Sequence, residues 1–314
     1  MTKLAYVILF IAVLVICGCG LHTIDYRGET DMKPKDLSFE YKGFSINYED
    51  QGQGQPLILL HGFGASTYTW RHLLPYFSKA YRVIAIDIKG FGLSDKPRDN
   101  NYSVSDQSDI IYEFIKVHNL DNVILAGNSM GGAVSILTYL MECDHGTHHI
   151  SKLVLIDAAG YKQRLPDFIA ILRIPIINVL SISLTSSHFR ARKVLMEAFF
   201  DHAKITEDII TTYAAYLSLP GASRALIRTA QQIVPPNLDE ISERYKNIKI
   251  PVLIIWGEKD KIIPLQVGRK FAANIPNSKL VIVPNCGHIP QEECPSQAIE
   301  AMELFMSDKT YDIK

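Results

Sequence analysis

Ser129 stands in the run Gly127-Asn128-Ser129-Met130-Gly131-Gly132, directly after the apolar stretch Val123-Ile124-Leu125-Ala126. A strand that turns at once into a helix lifts a serine hydroxyl above the sheet edge. The flanking positions must then be glycine, because a side chain there would strike the neighbouring strand or helix. The helix beginning near Met130 aims backbone N–H groups and a positive dipole end at the space beside the hydroxyl. The chemistry on offer is attack by an alcohol oxygen. Because that oxygen is a weak nucleophile at neutral pH, it requires a base and an acid to orient the base.

Both follow in the chain. The stretch from Pro251 to Trp256 is a strand whose turn ends at Asp260, and the strand Leu280 to Val283 leads through Pro284-Asn285-Cys286-Gly287 into His288. Asp157, after the strand that ends at Ile156, is a rival for the acid. Asp87 ends a strand too, but the Gly-Phe-Gly-Leu-Ser-Asp run that follows points to a loop stabiliser. His61, beside Gly62-Phe63-Gly64, fits a packing and hydrogen-bonding residue better than a base. Cys143, Asp144, His145, His148 and His149 form the one metal-like cluster, in a loop after the nucleophile helix where solvation is the simpler account. No metal and no cofactor are expected.

These residues need a scaffold that brings strand ends together. Strand candidates are Phe39 to Tyr41, Phe44 to Tyr48, Leu57 to Leu60, Val83 to Ile86, Val123 to Ala126, Leu153 to Ile156, Val252 to Trp256 and Leu280 to Val283. The later ones are continuous apolar runs, as expected where both faces of a sheet are buried. Helical patterns lie near Trp70 to Phe77, Ser105 to His118, Gly131 to Met141, Leu265 to Ala273 and Gln291 to Met306. The fold class is therefore α/β, a mostly parallel eight-stranded sheet with helices on both faces. Helical character from about 160 to 249 exceeds what a strand-to-strand connection needs, and predicts an inserted cap.

Composition narrows the partners. Lys plus Arg at 32 against Asp plus Glu at 33 leaves a formal charge of −1 in 314 residues, which excludes a long-range field for nucleic acid. Five irregularly spaced cysteines make neither a disulfide scaffold nor a paired-cysteine zinc site, although Cys286 and Cys294 could close a small loop.

The N-terminus has Lys3, an uncharged run from Leu4, and then Cys17-Gly18-Cys19-Gly20, the three-part pattern of a secretory signal. Ile16-Cys17-Gly18-Cys19 resembles the lipobox of bacterial lipoproteins, with residues 1–18 as signal peptide and Cys19 as the lipidated residue. An uncleaved anchor from Leu4 through Leu21, or plain secretion, are the alternatives. All three place the body outside the cytosol, in the cell envelope if anchored. Residues 19–36 then form a polar tether, and 37–314 the folded domain.

From about residue 37 onward the chain resembles the alpha/beta-hydrolase family. The resemblance rests on the Ser129 elbow, His61-Gly62-Phe63-Gly64, the run from Asp87 to Asp95, Trp256-Gly257-Glu258-Lys259-Asp260, and Cys286-Gly287-His288. It implies that Phe63 and Met130 donate backbone N–H groups to an oxyanion, that His288 takes the proton of Ser129, and that Asp260 fixes the imidazole tautomer. A serine nucleophile argues against the dehalogenase and epoxide-hydrolase members, which use aspartate. The Gly-Asn-Ser-Met-Gly-Gly elbow is similar to that of meta-cleavage-product hydrolases, which break carbon–carbon bonds, yet those usually carry tryptophan after the histidine where this chain has Ile289. The expected activity is hydrolysis of a small-molecule or lipid ester through an acyl-enzyme, as in monoacylglycerol lipases. The alternatives are carbon–carbon bond hydrolysis and a non-catalytic binding protein.

Overall fold

Apolar runs without charge become central strands, and alternate residues of each run serve opposite faces. In the computed structural model, which describes residues 37–307, Ile58 and Leu60 enter one core layer while Leu57 and Leu59 enter the other. The same division separates Leu125 from Ile124 and Ala126, and Ile254 from Leu253 and Ile255. The signal-like run, Cys19 and the tether lie outside the described residues.

The eight strands are β1 (Ser38–Tyr41), β2 (Phe44–Gln51), β3 (Pro56–Leu60), β4 (Arg82–Ile86), β5 (Val123–Asn128), β6 (Ile150–Ile156), β7 (Val252–Gly257) and β8 (Ser278–Val283). They form one sheet in the order β1-β2-β4-β3-β5-β6-β7-β8. β1 and β2 pair antiparallel, as do β2 and β4, and every other pairing is parallel. The carboxyl ends of β3, β5, β6, β7 and β8 therefore share one edge, where the loops bearing the predicted site residues emerge.

Helices α1 (Val104–Val117) and α2 (Met130–His145) cover one face through Phe114, Ile115, Val134 and Leu137. Trp70, Leu73 and Phe77 cover the other face, where Ala301 and Met302 join them. Two expected helices are divided. Trp70 to Phe77 becomes the 3-10 turn Thr67–Trp70 and the short helix Leu74–Phe77. The C-terminal run splits at Cys294 into Pro290–Glu293 and Pro295–Met306, because Pro295 has no N–H with which to continue the first helix.

Between β6 and β7 the chain passes through α3 (Ile177–Ser183), α4 (Ser187–Ala198), α5 (Glu207–Ser218) and α6 (Ala222–Gln232), with shorter turns around them. Ser186 caps α4 by accepting from Phe189 N at 3.1 Å, and Thr206 caps α5 by accepting from Ile209 N at 3.3 Å. Among the described residues no helix is long and apolar enough to cross a membrane.

Candidate active site

Ser129 joins β5 to α2 with φ 54° and ψ −118°, a conformation that costs free energy for a residue bearing a Cβ. The neighbourhood holds it there. Ser129 N–H donates to Ile156 O at 3.0 Å, and Ala159 N–H donates to Ser129 O at 2.9 Å. Glycine is required at 131 because a Cβ would lie 2.2 Å from Leu60 O. The tight turn is thus wedged between β3 and β6.

The acid and the base expected from the sequence meet. Asp260 Oδ1 accepts from Ile262 N at 2.7 Å and Ile263 N at 3.0 Å, which leaves Oδ2 to bind His288 Nδ1 at 2.7 Å. A carboxylate can only accept, so the imidazole proton sits on Nδ1 and Nε2 keeps a lone pair. His288 is buried, its N–H donates to Ala198 O at 2.7 Å, and it borders the same cavity as Ser129. No side chain fits between the ends of these loops, since a Cβ on Gly257 would lie 1.8 Å from Gly287 O.

The rival acid is close but differently engaged. Asp157, Asp260 and His288 each place a ligand-type atom within 4.8 Å of the others. Asp157 Oδ1 accepts from Gly257 N at 2.9 Å, while its Oδ2 has no partner among the described residues. Burial first, and the charge on Asp260 second, push the Asp157 carboxyl well above the ordinary carboxylate range. Asp157 therefore holds a proton more tightly than an ordinary carboxyl, beside an acid that engages the histidine.

The other candidates have structural partners. His61 is fully buried, with Nδ1 bonded to Gly62 O at 2.7 Å and Nε2 accepting from Ile88 N at 2.9 Å. Burial lowers its pKa to about 4, so it stays neutral and braces the loop that carries Phe63. Asp87 accepts from Thr67 N, Leu93 N and Asn47 Nδ2 at 2.7, 2.8 and 2.8 Å, which ties three loops together. In the metal-like cluster, His145 bonds Met141 O, Asp144 pairs with Arg244, and His149 pairs with Asp121. Cys286 and Cys294 are free thiols, so the small disulfide loop their spacing permits is not formed.

Phe63 and Met130 both face the space beside Ser129. As first residue of α2, Met130 has an amide without an intrahelical acceptor. A cavity of about 60 Å³ lies between Phe63, Ser129, His288 and Tyr213. A second, of about 110 Å³, runs from Ser129 and Met130 between Leu137, Leu165, Leu238 and Tyr245. The two meet at Ser129.

Three positioning groups escaped the sequence reading. Asn128 Nδ2 donates to Ile156 O and to His288 O, each at 3.1 Å. Glu292 accepts from Thr69 Oγ1 at 2.6 Å, from Arg71 at 2.6 Å, and from the Tyr213 hydroxyl of the cap. Glu293 accepts from Gly287 N at 2.6 Å and from Asp201 N at 2.7 Å, which binds the histidine loop to the cap. The only signal for the two glutamates was their adjacency after Ile289-Pro290-Gln291, a run that otherwise resembles a surface loop.

Residues 55–295 match the model of a family described as alpha/beta hydrolase fold. The chain belongs to that family. It is 31% identical over 271 residues to the 2-hydroxy-6-oxo-6-(2'-aminophenyl)hexa-2,4-dienoic acid hydrolase of Metapseudomonas resinovorans, covering 84% of this chain and 88% of that one. It is 26% identical over 297 residues to Lipase 1 of Psychrobacter immobilis, covering 90% and 86%. Among solved structures, the meta-cleavage product hydrolase of Pseudomonas fluorescens IP01 superposes with a TM-score of 0.74 at 27% identity, covering 87% of this chain and 97% of that one. This protein is accordingly a hydrolase.

Proposed function

We propose that this hydrolase cleaves uncharged, lipophilic carboxylic esters through an acyl-enzyme on Ser129. The observation that carries the substrate class is the lining of the two cavities that meet at Ser129. Apart from the base itself, Lys162 is the one formally charged side chain among their described lining residues, and it is paired with Asp239. An anionic substrate buried there would lack a free cation, whereas an apolar acyl chain and a neutral alcohol group each have a compartment.

Ser129 Oγ attacks the ester carbonyl while His288 Nε2 takes its proton. Asp260 holds Nδ1–H and stabilises the imidazolium. The carbonyl oxygen becomes an oxyanion beside the Phe63 and Met130 N–H groups, where one such donor is worth about 3 kcal/mol of barrier in comparable enzymes. His288 then protonates the departing alcohol, deprotonates a water that attacks the acyl carbon, and returns the proton to Ser129 as the acid leaves. The raised proton affinity of Asp157, caused first by burial and then by the charge on Asp260, disfavours a second negative charge beside the Asp260–His288 pair.

The second reading is carbon–carbon bond hydrolysis, which the similarity to dienoate hydrolases favours. Ile289 in place of a tryptophan after His288, and the absence of a free cation among the described cavity lining, weigh against it. A p-nitrophenyl ester series from acetate to palmitate separates the two. Turnover that rises with acyl length and vanishes in Ser129→Ala is the expected result. No turnover at any length, with cleavage of a ring-opened dienoate by the same preparation, would transfer the site to the second reading.

Cys19, as a lipidated N-terminus, anchors the enzyme at the cell envelope in this account. Labelling with a palmitate analogue tests it, with the label expected in the parent and lost in Cys19→Ala.

A further inference from the structure

Exposed large apolar side chains are unevenly distributed over this molecule. Twelve are found among the described residues, and nine of them fall between Ile171 and Phe200 in the cap. Ile176 is 75% exposed, Leu184 60%, Val179 56% and Phe189 52%. On α3 and its two flanking residues, positions 176, 179, 180 and 184 make one stripe, which faces outward while Asn178 faces in. Isolated exposed apolar residues need no explanation, but a contiguous stripe marks an interaction surface. Ile176 also has φ 70°, a conformation that β-branched residues rarely adopt, and nothing in the core is gained by presenting its side chain outward.

Charge identifies the occupant. Between 171 and 200 the chain carries Arg173, Arg190, Arg192 and Lys193 against Glu197 alone, a formal +3 in a chain of formal charge −1. Arg190 is spent on the carbonyls of Ile182 and Thr185, and Arg192 is paired with Glu207. Arg173 and Lys193 are exposed, Arg173 three residues before Ile176 and Lys193 one helical turn after Phe189 on α4. An apolar face edged by cations fits the boundary between acyl chains and anionic headgroups. The opposite side of α4 borders the cavity at His288 through Val194, Leu195 and Ala198, so one helix serves both surfaces.

We infer that the cap face built from α3 and the start of α4, centred on Ile176, Val179, Leu184 and Phe189, docks onto an anionic lipid bilayer. Fifteen residues, 22–36, separate the apolar N-terminal run from the described domain in the sequence. The inference borrows proximity from the proposed Cys19 anchor and is otherwise independent of the ester assignment.

Trp70 and Trp256 are the two tryptophans of the chain and both are fully buried, so an introduced tryptophan reports its own surroundings. The test uses the full chain in vesicles of phosphatidylcholine and phosphatidylglycerol whose acyl chains are brominated near the headgroup. In Ile176→Trp the added fluorescence should fall to roughly half or less, since an interfacial face sits about 5–10 Å deep. Val117→Trp, on an exposed apolar residue outside the cap, should be unquenched. Quenching should weaken in vesicles of phosphatidylcholine alone and in Arg173→Glu/Lys193→Glu. Vesicle-bound protein with Ile176→Trp unquenched would overturn the docking face and leave the anchor standing. Protein that does not sediment with the vesicles would overturn both. A dimer dissociated by Ile176→Glu, with no quenching, would overturn the bilayer in favour of a second copy.

Discussion

Asn128 Nδ2 donates to the carbonyl of His288 at 3.1 Å, so the residue before Ser129 holds the backbone of His288. The same amide donates to Ile156 O at 3.1 Å, and Ser129 N–H reaches that carbonyl at 3.0 Å. Two loops 160 positions apart in sequence are thereby fixed to one strand end, where their relative placement decides whether a proton can pass.

Replacing Asn128 by Ala should lower kcat/KM about 10- to 100-fold, the equivalent of one or two misplaced hydrogen bonds at the transition state, while the protein stays folded. Steady-state kinetics beside circular dichroism would check it. An unchanged kcat/KM would show that the bridge is dispensable.

The cap is pinned through Glu292. Its carboxylate is buried and accepts from Thr69, Arg71 and the cap residue Tyr213, and burial together with its charge pushes the Tyr213 phenol well above its usual range. Glu292→Gln leaves the Arg71 guanidinium without its counter-ion, and should cost about 3 kcal/mol in urea unfolding. A loss below about 1 kcal/mol would mean that the pair is no more than a surface contact.

Asp87 gives a pH dependence whose sign is fixed. Burial raises its folded pKa to about 6 from an ordinary 3.8, so the folded state binds its proton more tightly than the unfolded chain. The stabilisation from that proton is fully present below pH 3.8 and disappears as pH rises through about 6. Relative to Asp87→Asn, the parent should lose on the order of 3 kcal/mol of stability between pH 4 and pH 7. His61, lowered to about 4 by burial, drives the opposite trend between about 6.5 and 4, and its Nε2 lies 4.0 Å from Asp87 Oδ1, so the comparison is made with His61→Gln in both proteins. Urea titrations at the two pH values would measure it, and a constant difference would contradict it.

Much of the site was legible because its parts are local. Ser129, Asp260 and His288 each follow an apolar strand within a few residues, and parallel pairing gathers such strand ends on one edge. The preference for Asp260 over Asp157 came from the family resemblance, because both stand at strand ends and position alone does not separate them. The bond from His288 to Asp260 Oδ2 makes that distinction. Glu292 and Glu293 were illegible for another reason. Their donors Thr69, Tyr213 and Asp201 lie 223, 79 and 92 positions away, and only the seated cap buries the acids. The division of the last helix at Pro295 could have been read from the proline alone.

The central claim is that His288, oriented by Asp260, makes Ser129 a nucleophile. Reaction with a fluorophosphonate, followed by peptide mass spectrometry, tests it most directly, because the probe needs an activated serine and no particular acyl group. The account predicts one adduct per chain, on Ser129, absent in Ser129→Ala and slowed by orders of magnitude in His288→Ala and Asp260→Asn. An adduct on another residue, or a rate at Ser129 indifferent to His288, would contradict it.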